Sequence, residues 1–141
     1  MYKTSDERLK EFVKERNKHK LKFAIQLGDL IDKDYESYEP ILKILEDLKT
    51  PLYNVLGNHD FSVAPHPKSA VLKLLKMPKK YYSIKVNNYR FIALDDNNLS
   101  FHVYEKDSQK YLEAEKYYRQ NKVKSPKWNG ALSQTQMNWL G

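Results

Sequence analysis

Two short runs constrain this chain more than any other feature: Ala24-Ile25-Gln26-Leu27-Gly28-Asp29-Leu30-Ile31-Asp32 and Leu52-Tyr53-Asn54-Val55-Leu56-Gly57-Asn58-His59-Asp60. Each is an apolar stretch of strand character that breaks at a glycine and sets oxygen and nitrogen donors just beyond it. Between them Tyr38, Ile41, Leu42, Leu45 and Leu48 recur at helical spacing. That predicts an amphipathic helix over 38–49, stopped by Pro51. Strand, helix, strand is a β-α-β unit, which demands two parallel neighbours and a right-handed crossover. In open α/β sheets, active sites gather at the carboxyl ends of the strands, where both glycine blocks fall.

The remaining elements are predicted from local signals. Thr4-x-x-Glu7 is a capping box for a helix from 5 to about 19, with a thin apolar face of Leu9, Phe12 and Val13. Residues 22–27 read as a buried strand and 52–56 as the next. A short helix over 69–76 ends before Pro78. Strands 81–86 and 89–94 meet across Asn87-Asn88, a hairpin signal. Residues 96–107 read as loop, 108–119 as helix and 125–130 as loop. Ser133-x-x-Gln136 then opens a last helix, which is barely two turns long at Gly141.

The 141 residues are enough for one domain at most, or for part of one. There is no cysteine, so any metal must use oxygen and imidazole ligands. The polar start has no signal-peptide core, and no apolar run approaches the roughly 18 residues of a membrane span. The expectation is a cytoplasmic chain with no membrane partner. The net charge of +7 raises the alternative of a basic nucleic-acid-binding protein. The lysines are scattered, however, with no arginine-rich stripe, which favours a solvated surface. Such a positive field helps gather phosphate-bearing substrates.

The chemistry lies in the two blocks. A carboxylate at a strand end, such as Asp29, can bridge two divalent cations, one on each oxygen. Gly28 before it permits a sharp turn. Asn58 offers a neutral amide oxygen that adds no negative charge near a phosphate. His59 projects in another direction and can face substrate. Two cations roughly 3.5–4 Å apart activate water and stabilise in-line displacement at phosphorus, and a protonated imidazole can serve the leaving oxygen. The plain alternatives are a strand-to-turn transition at Gly28-Asp29 and a turn with Asn58 in the left-handed region. The ordered pair, each behind an apolar strand with one helix between, argues against both.

These residues resemble the calcineurin-like metallophosphoesterases, which carry Gly-Asp-x-x-Asp and Gly-Asn-His-Asp/Glu on successive strands. Tyr81-Tyr82-Ser83-Ile84, Arg90-Phe91-Ile92-Ala93-Leu94-Asp95 and Trp128-Asn129-Gly130-Ala131-Leu132-Ser133-x-x-Gln136-x-x-Trp139-Leu140 are similar to the branch of manganese-dependent ADP-ribose/CDP-alcohol diphosphatases. The resemblance implies an α/β fold. Residues 1–141 would form a partial metallophosphoesterase domain, the β-α-β core of a four-layer α/β/β/α sandwich without its first strand and C-terminal half. It implies metal-dependent hydrolysis of phosphoester or pyrophosphate bonds in a small phosphorylated or nucleotide-type substrate. The cofactor would be two divalent ions, manganese first, with iron, zinc or magnesium as alternatives.

By the same resemblance Asp29 is the metal-bridging carboxylate, Asn58 a ligand of the second metal and His59 the catalytic stabiliser or general acid. Asp32 and Asp60 support the site as acceptors. Asn129, Gly130 and Leu132 border the substrate pocket; the alternative there is a helix-entry loop with Trp139 as core. Asp95 would end a strand at the same edge in a structural role. The family's opening Asp-x-His or Asp-x-Gln strand and its later His and Gly-His-x-His have no counterpart here. His19, His66 and His102 match none of these, and His66 and His102 are expected on the surface. The expectation is therefore an internal piece of a hydrolase, inactive by itself. A non-catalytic binding or regulatory module is the alternative.

Overall fold

Tyr38, Ile41 and Ile44 fall on one face of a helix, and the computed structural model buries all three. It describes residues 5–64, 67–128 and 130–141, and the chain divides near residue 67 into two compact units. The first holds α1 (Ser5–Arg16), β1 (Ala24–Gln26), α2 (Tyr38–Leu45) and β2 (Leu52–Asn54). β1 and β2 pair in parallel, with Ala24 opposite Leu52 and Gln26 opposite Asn54. The expected β-α-β unit is therefore present. Val13, Ile31, Leu56, Phe61 and Val63 complete the buried apolar set of this unit. Each such side chain contributes about 1.5–3 kcal/mol by leaving water.

Several boundaries are corrected. The helix expected to reach residue 19 ends at Arg16 and continues as turns, through Lys18 N–H to Glu15 and His19 N–H to Arg16. Asn17 replaces further helix with a side-chain clasp. Its Nδ2 donates to the Asp47 carbonyl at 2.8 Å, and its Oδ1 accepts from Lys49 N at 2.9 Å. Phe12 lies exposed under the Arg16 guanidinium rather than in the core. The second helix ends at Leu45, preceded by a 3-10 turn at Tyr35–Ser37. Residues 22–27 do not form a buried strand. β1 is three residues long, and among the described residues it pairs with β2 alone. Leu27, just beyond the strand, is 81% exposed.

The second unit holds α3 (Ala70–Leu74), β3 (Tyr82–Val86), β4 (Tyr89–Ala93), α4 (Gln109–Gln120) and α5 (Gln134–Leu140). The hairpin forms in the expected register, Val86 opposite Tyr89, with Asn87 at φ +54. Ser108 and Ser133 cap α4 and α5 by accepting from Tyr111 N and Gln136 N. Val71, Leu99, Val103 and Ala114 are among its buried residues. The segment 96–107 is not all loop. Asp96–Asn98 forms a 3-10 turn, and Leu99 bridges Ala131 through two backbone bonds of 3.0 and 3.1 Å. Trp139 is 41% exposed rather than core, set edge-on to Tyr81. His102 is half-buried rather than on the surface. Thr4 of the capping box, His66 and Asn129 lie outside the described residues. No described helix is long and apolar enough to cross a membrane.

Candidate metal centre at the strand tips

Beyond the last ladder pair, the two strands turn over each other at their glycines. Gly28 takes φ +97, and a Cβ there would stand 2.6 Å from Gly57 N. A Cβ on Gly57 would lie 2.1 Å from Asp29 Oδ1 and 2.6 Å from Asp29 N. Both positions thus exclude any side chain, and the turns nest backbone against backbone. Asp29 follows at φ +53, a conformation unusual outside glycine that aspartate tolerates better than most. Asn58, read as a possible left-handed turn residue, is right-handed instead (φ −74, ψ −32) and opens the 3-10 turn His59–Phe61.

Asp60 holds the two turns together. Its Oδ2 accepts from Asp29 N and Gly57 N, both at 2.9 Å, and its Oδ1 accepts from Leu30 N at 2.9 Å. The Tyr38 hydroxyl lies 3.1 Å from Oδ1 and 2.9 Å from the Asp60 carbonyl. Both side chains are buried, Asp60 completely. Burial pushes the Asp60 carboxyl up from its ordinary range, against the pull of its donors. Burial likewise raises Tyr38, with the Asp60 charge adding to it, so the phenol stays a protonated donor.

Asp29 itself is exposed, and its Oδ1 accepts from His59 N at 3.0 Å. Asp29 and the His59 backbone thus meet at one end of the sheet, with Asn58 beside them in the chain between Gly57 and His59. His59 Nδ1 lies 2.9 Å from the Asp32 carbonyl and 3.1 Å from Asp32 Oδ1. A proton on Nδ1 satisfies both, which leaves Nε2 as the ring atom not engaged by Asp32. The Asp32 carbonyl is the main cause raising the His59 pKa; partial burial opposes it, and the Asp29 and Asp32 charges reinforce it. Asp29, Asp32, His59, Ser5 and Ser37 rim a pocket of about 330 Å³ with Leu30, Ile31 and Ile41 among its lining residues.

The donor set is partial. Among the described residues no three His, Cys, Asp or Glu side chains are placed to hold one ion. Asp29 and Asn58 fall well short of the six or so ligands a hard divalent cation takes. Replacing Gly57 by alanine tests the geometry. The new methyl group must displace the Asp29 carboxylate and break its bond from His59 N. Urea titration is expected to show a loss of about 1–3 kcal/mol, with the His59 amide resonance shifted. A native-like spectrum would remove the nested-turn account.

In the second unit Gly130 is pressed against Asp96, whose carbonyl oxygen a Cβ would meet at 1.8 Å. Leu132 is half-buried. Asp95 is buried, its carboxylate capping the turn at Asn97 N, 3.2 Å away. Gln136 was read only as a helix-start residue, but it does more. Its Oε1 accepts from Asp95 N at 2.7 Å and its Nε2 donates to Asp95 O at 2.8 Å, completing a two-bond amide pair. Tyr38, read from apolar spacing, and Gln136, read from a helix-start spacing, are thus polar groups whose partners those local signals do not show. The signal available was that a buried phenol or amide needs a partner.

A family model described as calcineurin-like phosphoesterase matches residues 2–140. The chain belongs to the calcineurin-like phosphoesterase family. Its relatives include the manganese-dependent ADP-ribose/CDP-alcohol diphosphatases of Oryza sativa subsp. japonica and Homo sapiens. The rice protein is 29% identical over 148 residues, covering 86% of this chain and 46% of the relative. The human protein is 26% identical, covering 83% and 45%. A dimetal phosphatase from Danio rerio superposes with a TM-score of 0.81 at 22% identity, over 99% of this chain and 55% of its own. The phosphoesterase fold is thus shared along the whole chain, which spans about half the length of these relatives.

Proposed function

We propose that this phosphoesterase chain forms part of a metal-dependent hydrolase of phosphoester or pyrophosphate bonds. Its substrate would be small and of nucleotide type, like those the names of the rice and human relatives state. The observation that supports the reading is the contact of Asp29 with the Gly57-Asn58-His59 turn at two adjacent strand tips in a chain of this family. Asp29 would hold both divalent cations, manganese first, and Asn58 one of them. The remaining donors would come from residues beyond these 141. Bound there, such cations supply Lewis acidity toward phosphoryl oxygens.

The chain's own residues do the rest. Asp32 fixes the His59 ring by taking the Nδ1 proton in a hydrogen bond, and Nε2 can then hold a proton for the departing oxygen. Asp60 keeps both turns in register. The partial donor set also favours a second reading, a binding module without catalysis.

The test compares the 141-residue chain with a polypeptide extended through the flanking coding DNA to the length of the relatives. The short chain is expected to bind manganese weakly and to hydrolyse bis-(4-nitrophenyl) phosphate and ADP-ribose negligibly. The extended protein should show manganese-dependent hydrolysis. A folded extended protein without it would favour the binding module, and robust turnover by the short chain would overturn the account of the donors.

A further inference from the structure

We infer that Tyr38 is a positioning residue for this site: through Asp60, its hydroxyl sets the turn that aims the Asp29 carboxylate. The inference rests on the metal-centre reading above and deepens it. The Asp60 carboxylate takes four donors, two on each oxygen. Three are amides of the very turns it joins, at Asp29, Leu30 and Gly57. Those three can swing with Asp60 as one body without losing a bond. The fourth comes from a different element, the first turn of α2, which is fixed in the core by Ile41 and Ile44.

Among the described bonds of the Asp60 carboxylate, the Tyr38 contact is the one that refers it to α2 rather than to the turns themselves. The same hydroxyl reaches the Asp60 carbonyl, so it registers main chain and side chain together. The ring has little freedom to wander. It is 1% exposed and set edge-on to Tyr35 at 6.0 Å. Asp29 needs such a reference because its left-handed backbone is held by its surroundings rather than by preference. Acceptors behind a ligand commonly govern metal affinity by about 10–100-fold. Tyr38 acts one bond further out, and the low end of that range is expected.

Tyr38→Phe removes one oxygen and keeps the packing. Asn17→Ala is the control, because it breaks the clasp to Asp47 and Lys49 on the same unit, away from the strand tips. Both are made in the 141-residue chain and read in two ways: amide hydrogen exchange without metal, and manganese titration followed by paramagnetic broadening of amides 28–30 and 57–59. Tyr38→Phe should speed exchange at Asp29, Leu30 and Gly57 by about tenfold or more and weaken manganese binding by about tenfold. Asn17→Ala should change neither.

Unchanged exchange in Tyr38→Phe overturns the inference. So does faster exchange with undiminished manganese affinity, or an equal response from Asn17→Ala. Absence of manganese broadening in the wild-type chain overturns the metal-centre reading itself. The exchange arm then still reports whether Tyr38 sets the turns, so the two failures are told apart.

Discussion

Replacing Asp60 by alanine is expected to be the most damaging single change in the first unit, lowering stability by about 3–6 kcal/mol. One carboxylate takes the amides of Asp29, Leu30 and Gly57 and faces the Tyr38 hydroxyl from a fully buried position. Alanine leaves those donors unmatched, at about 1–3 kcal/mol for each that water does not reach. The strand tips lie near the surface, so partial hydration keeps the total below the simple sum. A loss of that size is a large share of the 5–15 kcal/mol typical of a whole domain. Asp60→Asn keeps one oxygen acceptor but turns an N–H toward a donor, and about half the loss is expected. Urea midpoints with an unchanged denaturant slope provide the measurement. A shift under 1 kcal/mol for the alanine variant would mean that water substitutes for the carboxylate.

The sequence made the parallel β-α-β unit legible because its cues are local. Apolar runs end in glycine, the helical spacing begins at Tyr38, and Pro51 stops the helix. It also put Asp29 and Asn58 at one sheet end, since parallel strands share their carboxyl edge. What it could not convey depends on pairing and close approach. The strand at Ile25 is three residues long because only β2 lies beside it among the described residues, and propensity does not count neighbours. The nested contact of Gly28 and Gly57 joins turns 29 residues apart in sequence, so no local pattern encodes it.

Turn preference offers Asn58 as the left-handed residue under the plain alternative, yet the left-handed one of these two is Asp29. Bonds from His59 and to Asp60 outweigh that preference. Tyr38 is read as a helix residue because periodicity weighs a side chain by its apolar body, and Gln136 as a helix-start residue from its spacing after Ser133. Neither local signal shows the hydroxyl that meets Asp60 or the amide that meets Asp95. Strand 22–27 and the Trp139 core failed for the same reason as Phe12. Apolar character shows what could be covered, and only the fold shows what is.

In the extended protein, Asp29→Ala and His59→Ala should fail in different ways. Asp29 is exposed, and the described hydrogen bond to its carboxylate comes from His59 N, while its backbone N–H bond to Asp60 survives the substitution, so the loss of the carboxylate costs the fold little. Under the proposed roles it removes the shared ligand, and manganese occupancy and turnover should fall together to background. His59→Ala keeps the carboxylate and the amide of Asn58. Manganese content should persist, while turnover falls by a factor of ~10²–10⁴, the usual worth of a proton donor in the transition state. Asp32→Ala should give a smaller turnover loss than His59→Ala, because it removes the 3.1 Å carboxylate contact and leaves the 2.9 Å carbonyl bond to Nδ1 in place. Metal analysis of the purified variants, beside hydrolysis of ADP-ribose, separates the cases. Undiminished turnover in Asp29→Ala would remove that residue from the metal site. Metal loss in His59→Ala would make the imidazole a ligand rather than a proton donor, and the Nδ1 bond to Asp32 would then serve to orient Nε2 toward the cation instead of the departing oxygen.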